Sequence, residues 1–354
     1  MNWNHILIFG AGRISVLAAS FLGKAKYKVF LADSQSFSGV TQLDIQDKKA
    51  CSEFIQKNKI NTLICCLPYF LTEQAFELAQ LNKLHYFDLT EDISLSYKIR
   101  EAAKKQSITT AIVPNCGLAP GWAGILAHDL VSRFEQVESV QLRVGALPQY
   151  AHNVLHYAIT WSVDGLINEY GNPCEAIEQG KRVILKPLED VEELEIDGML
   201  YEAFNTSGGL GNLIHLYENK VKNLNYKTIR YPGHAQKMRF LMNDLKLNEN
   251  QENRRILKDI LENSLPNIDQ DVVIMDISVM GKKSGKLQEK NIVKKYYPQK
   301  MNQKNYSALQ MTTAASLCAV VDTVLQHPEK YQGLQYLETF SLNDIQKSSF
   351  AKYL

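Results

Sequence analysis

The sequence predicts an α/β protein: a Rossmann doubly wound parallel sheet, then an α+β substrate domain with a mainly antiparallel sheet. Three observations carry that expectation. The first ~115 residues alternate short apolar runs with longer amphipathic ones, as βαβ units do. A Gly-Ala-Gly turn, Gly10 to Gly12, separates the first apolar run from the first helical pattern. From Val140 onward, strand-like stretches alternate with polar loops instead.

The expected strands of the first domain are His5–Phe9, Tyr27–Ala32, Thr62–Leu67, His85–Asp88 and Thr109–Val113. Parallel strands buried on both faces should be continuously apolar, and ILIF, VFLA and LICCL are. Helical periodicity covers Arg13–Leu22, Leu71–Leu81 and Leu95–Gln106. Further on, VQLRVGAL and VVIMDISVMG read as strands, while Pro173, Pro187 and the acidic run Glu189–Asp197 mark loops or edges. Helical periodicity returns over Asn305–Leu325, where TTAASLCAVVDTVL offers a small-residue face for close packing. The expected division is a dinucleotide-binding domain at 1–120, a substrate and dimerisation domain at 121–304, and a C-terminal helical segment at 305–354 returning to the first domain.

A chain of 354 residues is too long for one ordinary core and suits two. Lys and Arg total 39 against 38 Asp and Glu, a net charge of +1. Nothing in that balance marks a partner among nucleic acids or anionic membranes. No apolar stretch is expected to approach the roughly 20 residues that span a bilayer. The six cysteines, Cys51, Cys65, Cys66, Cys116, Cys174 and Cys318, include no C-x-x-C pair. His152 and His156 have the i, i+4 spacing of two ligands on one helix face, but no H-E-x-x-H glutamate or nearby third ligand accompanies them, so no metal is expected. With the first strand starting at His5, no leader is read before it, and the expected location is cytoplasmic.

Gly10-Ala11-Gly12-Arg13-Ile14-Ser15 sits where a strand should hand over to a helix. The first glycine allows the tight turn, and the second lets backbone approach a pyrophosphate on the helix N-terminus. Ser15 replaces the usual third glycine, whose task is close helix–strand packing. Asp33 falls at the end of the second strand, where a carboxylate bonds the adenosine ribose hydroxyls and repels a 2′-phosphate. No Arg or Lys lies between Ser34 and Asp47, so NAD is expected over NADP. The alternative for Asp33 is a solvated strand end. Asp44 suits the adenine side or an ordinary turn, and Leu67 and Pro68 should border the nicotinamide ribose, with Tyr69 facing substrate. Asn115, Cys116 and Gly117 leave the sheet at its ligand edge and can present backbone groups; Cys116 lacks an adjacent His to make it a nucleophile.

Several segments outside this loop resemble the lysine 6-dehydrogenases of the saccharopine dehydrogenase-like superfamily. They are Gly117-Leu118-Ala119-Pro120-Gly121, Val144-Gly145-Ala146-Leu147-Pro148, Tyr157 through Gly165, Glu202-Ala203-Phe204, Thr206-Ser207-Gly208-Gly209, and Tyr226 through His234. The resemblance spans residues 5 to 325, and departs at Ser15, at Ala146 where a second glycine is usual, and in a shortened tail. It implies oxidation of an amine-bearing carbon of a small amino-acid substrate, with hydride passing to nicotinamide. For lysine the product is the 6-semialdehyde, which cyclises. It also implies a homodimer.

Such a site needs a cation for the substrate carboxylate, a group near the developing iminium, and walls that hold the reacting carbon. Arg230 suits the first need, unless it is a structural partner of the acidic run Glu189–Asp197. Asp88, at the C-terminal end of a parallel strand, suits the second, unless it caps a helix. Tyr157, Trp161, Thr206 and His234 complete the candidate pocket, although Tyr157 and Trp161 also fit a core and His234 a structural role. Two other functions stay open. A glutamate-forming saccharopine dehydrogenase would need a second cationic anchor from Arg143, Arg182 or Arg239. A non-catalytic NAD sensor would keep the glycine loop and lose the substrate motifs.

Overall fold

The apolar runs of the first third become buried parallel strands. The computed structural model describes residues 5–104, 109–301 and 303–354, in two units: Met1–Ile125 with Gln310–Leu354, and Leu126–Leu309. The first unit opens with β1 (His5–Phe9), α1 (Arg13–Lys24), β2 (Lys28–Asp33), β3 (Thr41–Gln42), α2 (Lys48–Asn58) and β4 (Thr62–Cys65). It continues through α3 (Tyr69–Leu81), β5 (His85–Asp88), α4 (Ile93–Lys104) and β6 (Ala111–Val113). Positions 105 and 106 of the expected helix Leu95–Gln106 lie outside the described residues. Strand order is β6-β5-β4-β1-β2-β3, all parallel.

The register fixes where a ligand can lie. Phe9 is level with Ala32 on one side and Cys65 on the other, and Cys65 is level with Asp88. The loops after β1, β2, β4 and β5 therefore leave the sheet along one edge, where doubly wound folds bind ligands. The strand ends differ slightly from expectation: β2 runs on to Asp33 and β4 stops at Cys65. Helix α2 has only Cys51 and Ile55 buried, too sparse a stripe to announce itself in the sequence.

The chain enters the second unit within α5 (Trp122–Val131). There follow β7 (Gln136–Pro148), α6 (Val163–Gly171), β8 (Cys174–Glu178), β9 (Lys181–Leu185), β10 (Glu192–Ile196), β11 (Met199–Asn205) and α7 (Leu213–Tyr217). Then come β12 (Asn223–Arg230), α8 (His234–Arg239), α9 (Gln251–Ser264), β13 (Asp271–Lys283), β14 (Lys286–Tyr296), β15 (Gln299–Met301) and β16 (Lys304–Tyr306). The main sheet runs β10-β11-β12-β7-β13-β14. It is antiparallel except where β12 lies parallel to β7. Alternation assigns neighbours to opposite cores: Phe204 joins Leu166, Tyr170, Met238 and Leu257 under the helices, while Ala203 joins Leu147, Ile229 and Ile274. Gly145 must be glycine, because a Cβ there would stand 2.2 Å from the Ile229 carbonyl oxygen.

The chain returns to the first unit through α10 (Ala308–Gln326), later than the expected start at Asn305 because Lys304–Tyr306 is β16. This helix corrects the expectation about apolar length. Its 19 residues are long and apolar enough to cross a membrane, yet 94% of that window is buried inside the protein. It is a core helix. Then β17 (Gly333–Leu334) adds to the sheet beside β6, and α11 (Leu342–Lys347) leads into the tail. Asp322 on α10 accepts hydrogen bonds from the Tyr27 and Ser348 hydroxyls, each at 2.7 Å. Phe350 and Tyr353 lie against Phe21 of α1, with centroids at 5.7 and 5.0 Å. Phe350 is buried, so Phe350→Ala should cost about 3–5 kcal/mol. That loss is expected as a lower urea midpoint for the first unit; an unchanged midpoint would show that the tail adds nothing to its core.

Candidate functional site

Each unit carries a set of candidate residues. In the first, Gly10 follows β1 with φ +98°, and a Cβ there would meet the Cys66 carbonyl oxygen at 2.7 Å. Gly12 is the opposite case: a Cβ meets nothing within 4 Å, so its bareness answers no internal need. It caps α1 without a side-chain acceptor, and no acidic residue occupies the first turn. Backbone N–H groups at such a terminus suit an anion, and the open approach over Gly12 suits a pyrophosphate. Arg13 is exposed and Ile14 half-buried beside it. Ser15 is buried, and its hydroxyl donates to the Gly12 carbonyl at 2.9 Å, bracing the turn that it joins to the helix.

Asp33 ends β2 beside this loop. Its Oδ2 accepts the Ala11 N–H at 2.8 Å and its Oδ1 the Gln35 N–H at 3.0 Å. The carboxylate is thus tied to the glycine loop. Asp44 is exposed and accepts the Gln46 N–H at 2.9 Å, as a turn residue does. Leu67 is half-buried, Pro68 is exposed as the residue before α3, and Tyr69 starts that helix with its ring edge-on to Phe70.

Asp88 ends β5 fully buried. Its Oδ1 accepts the Thr90 N–H at 3.0 Å and the Asn115 N–H at 2.9 Å, while Oδ2 has no partner. Burial pushes its carboxyl up to about 6, against the pull of those two N–H groups. The helix-cap alternative goes to Asp92 instead, whose Oδ1 accepts the Leu95 N–H. Asn115 holds φ +67° and donates to the Thr90 carbonyl and the Ser96 hydroxyl. Cys116 is buried, its thiol pushed up by desolvation and its N–H given to the Asp88 carbonyl. Gly117 starts a turn so tight that a Cβ on Gly121 would overlap its carbonyl.

The second unit gathers Tyr157, Thr206, Arg230 and His234. Arg230 is 2% exposed. Its Nη1 donates to the Ile229 carbonyl at 2.9 Å, Nη2 stands 3.9 Å from Glu169 Oε2, and Nε has no partner. Its guanidinium lies 5.3 and 5.7 Å from the ring centres of Tyr157 and Tyr170. The expected alternative partner was the acidic run, but Asp190 and Glu192 there bind Lys227, and Glu192 also binds Arg143. Glu169 was not foreseen. It accepts the Thr228 hydroxyl, which in turn meets the Thr206 hydroxyl at 2.7 Å.

His234 is fully buried between the Leu155 carbonyl at Nδ1, 2.8 Å, and the Tyr170 hydroxyl at Nε2, 3.1 Å. A carbonyl only accepts, so Nδ1 carries the proton. Burial, with Arg230 adding to it, pulls the imidazole down to about 3 and keeps it neutral. His152 and His156 lie in an irregular segment, not on a helix, and no group of three or more His, Cys, Asp or Glu among the described residues could hold a metal. Trp161 is half-buried.

Residues 117–352 match the family model of the saccharopine dehydrogenase C-terminal domain. Among solved structures, the fold is similar to apo saccharopine dehydrogenase (L-Glu forming) from Saccharomyces cerevisiae: TM-score 0.75, 15% identity, 99% of this chain and 98% of that one covered. Homospermidine synthase from Legionella pneumophila, solved with NAD, gives 0.63 at 12% identity over 99% and 89%. DAP dehydrogenase from C. glutamicum, in complex with DAP, gives 0.52 at 10% identity over 99% and 98%. At these identities the likeness is one of fold.

The two glycines of the loop should separate under mutation. Gly12→Val should keep its melting temperature and lose NADH binding by fluorescence titration. Gly10→Ala should instead destabilise the fold by about 1–3 kcal/mol through the Cys66 carbonyl clash. Normal NADH affinity in Gly12→Val would remove the loop assignment.

Proposed function

Because the chain belongs to the saccharopine dehydrogenase C-terminal domain family and has a dehydrogenase fold, we propose that it catalyses NAD-dependent oxidative deamination of an amino acid's side-chain amine, with L-lysine as substrate. The observation that carries the substrate class is the buried Arg230, whose Nε has no partner. A buried guanidinium with an unused edge suits a carboxylate bound bidentately. NAD, held at the Gly10–Gly12 loop with its ribose on Asp33, supplies the hydride acceptor.

On the substrate, the C–H bond beside the nitrogen breaks with its electron pair, the nitrogen lone pair forms C=N, and the nitrogen gives a proton to solvent. Water then adds to the iminium and ammonia leaves, giving the 6-semialdehyde. Asp88 has the chemistry to stabilise the iminium: a buried carboxylate with one oxygen unclaimed. An ammonium of pKa about 10.4 is a poor donor to a carboxyl near 6, so Asp88 acts here as a charge and not as the base. Asn115 and Cys116 hold that carboxylate and its strand end in place through their backbone N–H groups.

The name of the yeast relative suggests the glutamate-forming saccharopine reaction as the alternative. Its extra dicarboxylate needs a second cation, yet Arg143 is engaged by Glu192 and Asn225, and Arg182 by Glu175. Arg239 is exposed at the end of α8. These engagements support the simple amine. A panel of amino acids, polyamines and saccharopine, followed by NADH absorbance, tests the choice; saccharopine as the best substrate would overturn it.

Cofactor preference gives one prediction. The wild type should bind NADH more tightly than NADPH, and Asp33→Ser with an added neighbouring Arg should shift it toward NADPH. Tighter NADPH binding by the wild type would contradict the role of Asp33. Arg230 gives another. Its contact with a carboxylate persists from ground state to transition state, so Arg230→Ala should raise KM more than it lowers kcat. A charge-assisted bond contributes about 1.5–3 kcal/mol, or roughly tenfold to hundredfold in kcat/KM. Cadaverine, without the carboxylate, should be poor for the wild type and lose little more in the variant, whereas Asp88→Asn should lower kcat for both amines. Equal slowing of cadaverine and lysine by Arg230→Ala would make Arg230 structural.

A further inference from the structure

Glu169 on α6 and Arg230 on β12 are both nearly buried, with side chains 11% and 3% exposed. A charge-assisted N–H···O bond normally closes to about 2.7–2.9 Å. Lys227 in the same unit does so, at 2.7 Å from Asp190 and 2.9 Å from Glu192. The Glu169–Arg230 pair stands open at 3.9 Å. Each partner is meanwhile fixed on its far side. Arg230 Nη1 is occupied by the Ile229 carbonyl, and Glu169 Oε1 by the Thr228 hydroxyl. What remains is the Nε–Nη2 edge of the guanidinium, its Nε without a partner, with Glu169 Oε2 beside it. Burial raises the Glu169 carboxyl, and Arg230 pulls it back toward the ionised form.

An α-amino acid presents an anion and a cation on one carbon, and this pair presents the complementary charges side by side. We infer that Glu169 and Arg230 form a zwitterion clamp, in which Glu169 binds the substrate α-ammonium while Arg230 takes the α-carboxylate. Glu169 is then the residue that selects α-amino acids over acids and amines that lack one of the two groups. The inference rests on the proposed reading of Arg230 as carboxylate anchor. It adds that the anion alone is insufficient.

L-Norleucine and hexanoate test this without requiring turnover, since they share a carboxylate and chain and differ in the α-amine. By calorimetry on the NAD-saturated enzyme, norleucine should bind the wild type at least about tenfold more tightly than hexanoate, the range of one charge-assisted bond. Glu169→Gln keeps an acceptor for Thr228; it should hold its hexanoate affinity and lose the norleucine advantage. Equal affinities in the wild type, no binding of either ligand, or an advantage that survives Glu169→Gln would each overturn the clamp. Should the variant fail to fold, the wild-type comparison decides alone. Lysine oxidation assayed on the same preparation separates the two ideas: a clamp without oxidation removes the reaction, and oxidation without a norleucine advantage removes the clamp.

Discussion

A guanidinium does not give up its proton in a protein, so burying Arg230 obliges its surroundings to supply charge and hydrogen bonds. The second unit is arranged around that demand. The Ile229 carbonyl takes one amino group, two tyrosine rings offer their faces, and Glu169 sets a negative charge alongside. His234, which would be a second cation in the same space, is held neutral by burial and by Arg230 itself. Its tautomer follows from the Leu155 carbonyl, leaving Nε2 to accept from the Tyr170 hydroxyl. Glu202 fixes the turn before α8, accepting the Gly233 and Ala235 N–H groups at 2.7 and 2.6 Å and so bracketing His234. One buried charge thereby explains why so many polar side chains are sequestered in one place.

The first unit meets a different constraint, that of shaping loops at a sheet edge while leaving backbone bare. Parallel strands in register end at one edge, and the loops there must be shaped without filling the space above them. Gly10 meets this by a left-handed turn pressed against the Cys66 carbonyl, and Gly12 by carrying nothing at all. Asp33 and Asp88 use their carboxylates in part to tie loops to strand ends. Each still has chemistry beyond that tying: Asp33 lies where a ribose is expected, and Asp88 keeps an unpartnered oxygen in a dry setting.

The first unit's fold was legible because its signals are local. ILIF followed by Gly-Ala-Gly and an amphipathic run is a strand, turn and helix within a few residues, and Asp33 falls one strand later. Helix α2 was not legible, since with two buried residues it has no stripe to read. The parallel pairing of β12 with β7 was hidden because it depends on which strands meet, and the apolar length of α10 because Thr, Ser and Asp322 interrupt its sequence. Arg230 stood out through its motif, but its partner did not. Glu169 comes from α6, and only folding brings the two within 3.9 Å. In the sequence nothing sets Glu169 apart from Asp164 of the same helix, and the acidic run Glu189–Asp197 was the louder and misleading signal.

The proposed reaction makes a claim about one bond, the C–H bond beside the side-chain nitrogen. L-Lysine deuterated at that carbon, incubated with the enzyme and NAD+, follows it directly by mass spectrometry and NMR of the nucleotide. Direct transfer places deuterium at C4 of the nicotinamide of the NADH formed, and releases ammonia in equal amount. NADH without deuterium, or no NADH from lysine while the protein binds the nucleotide normally, would contradict the account.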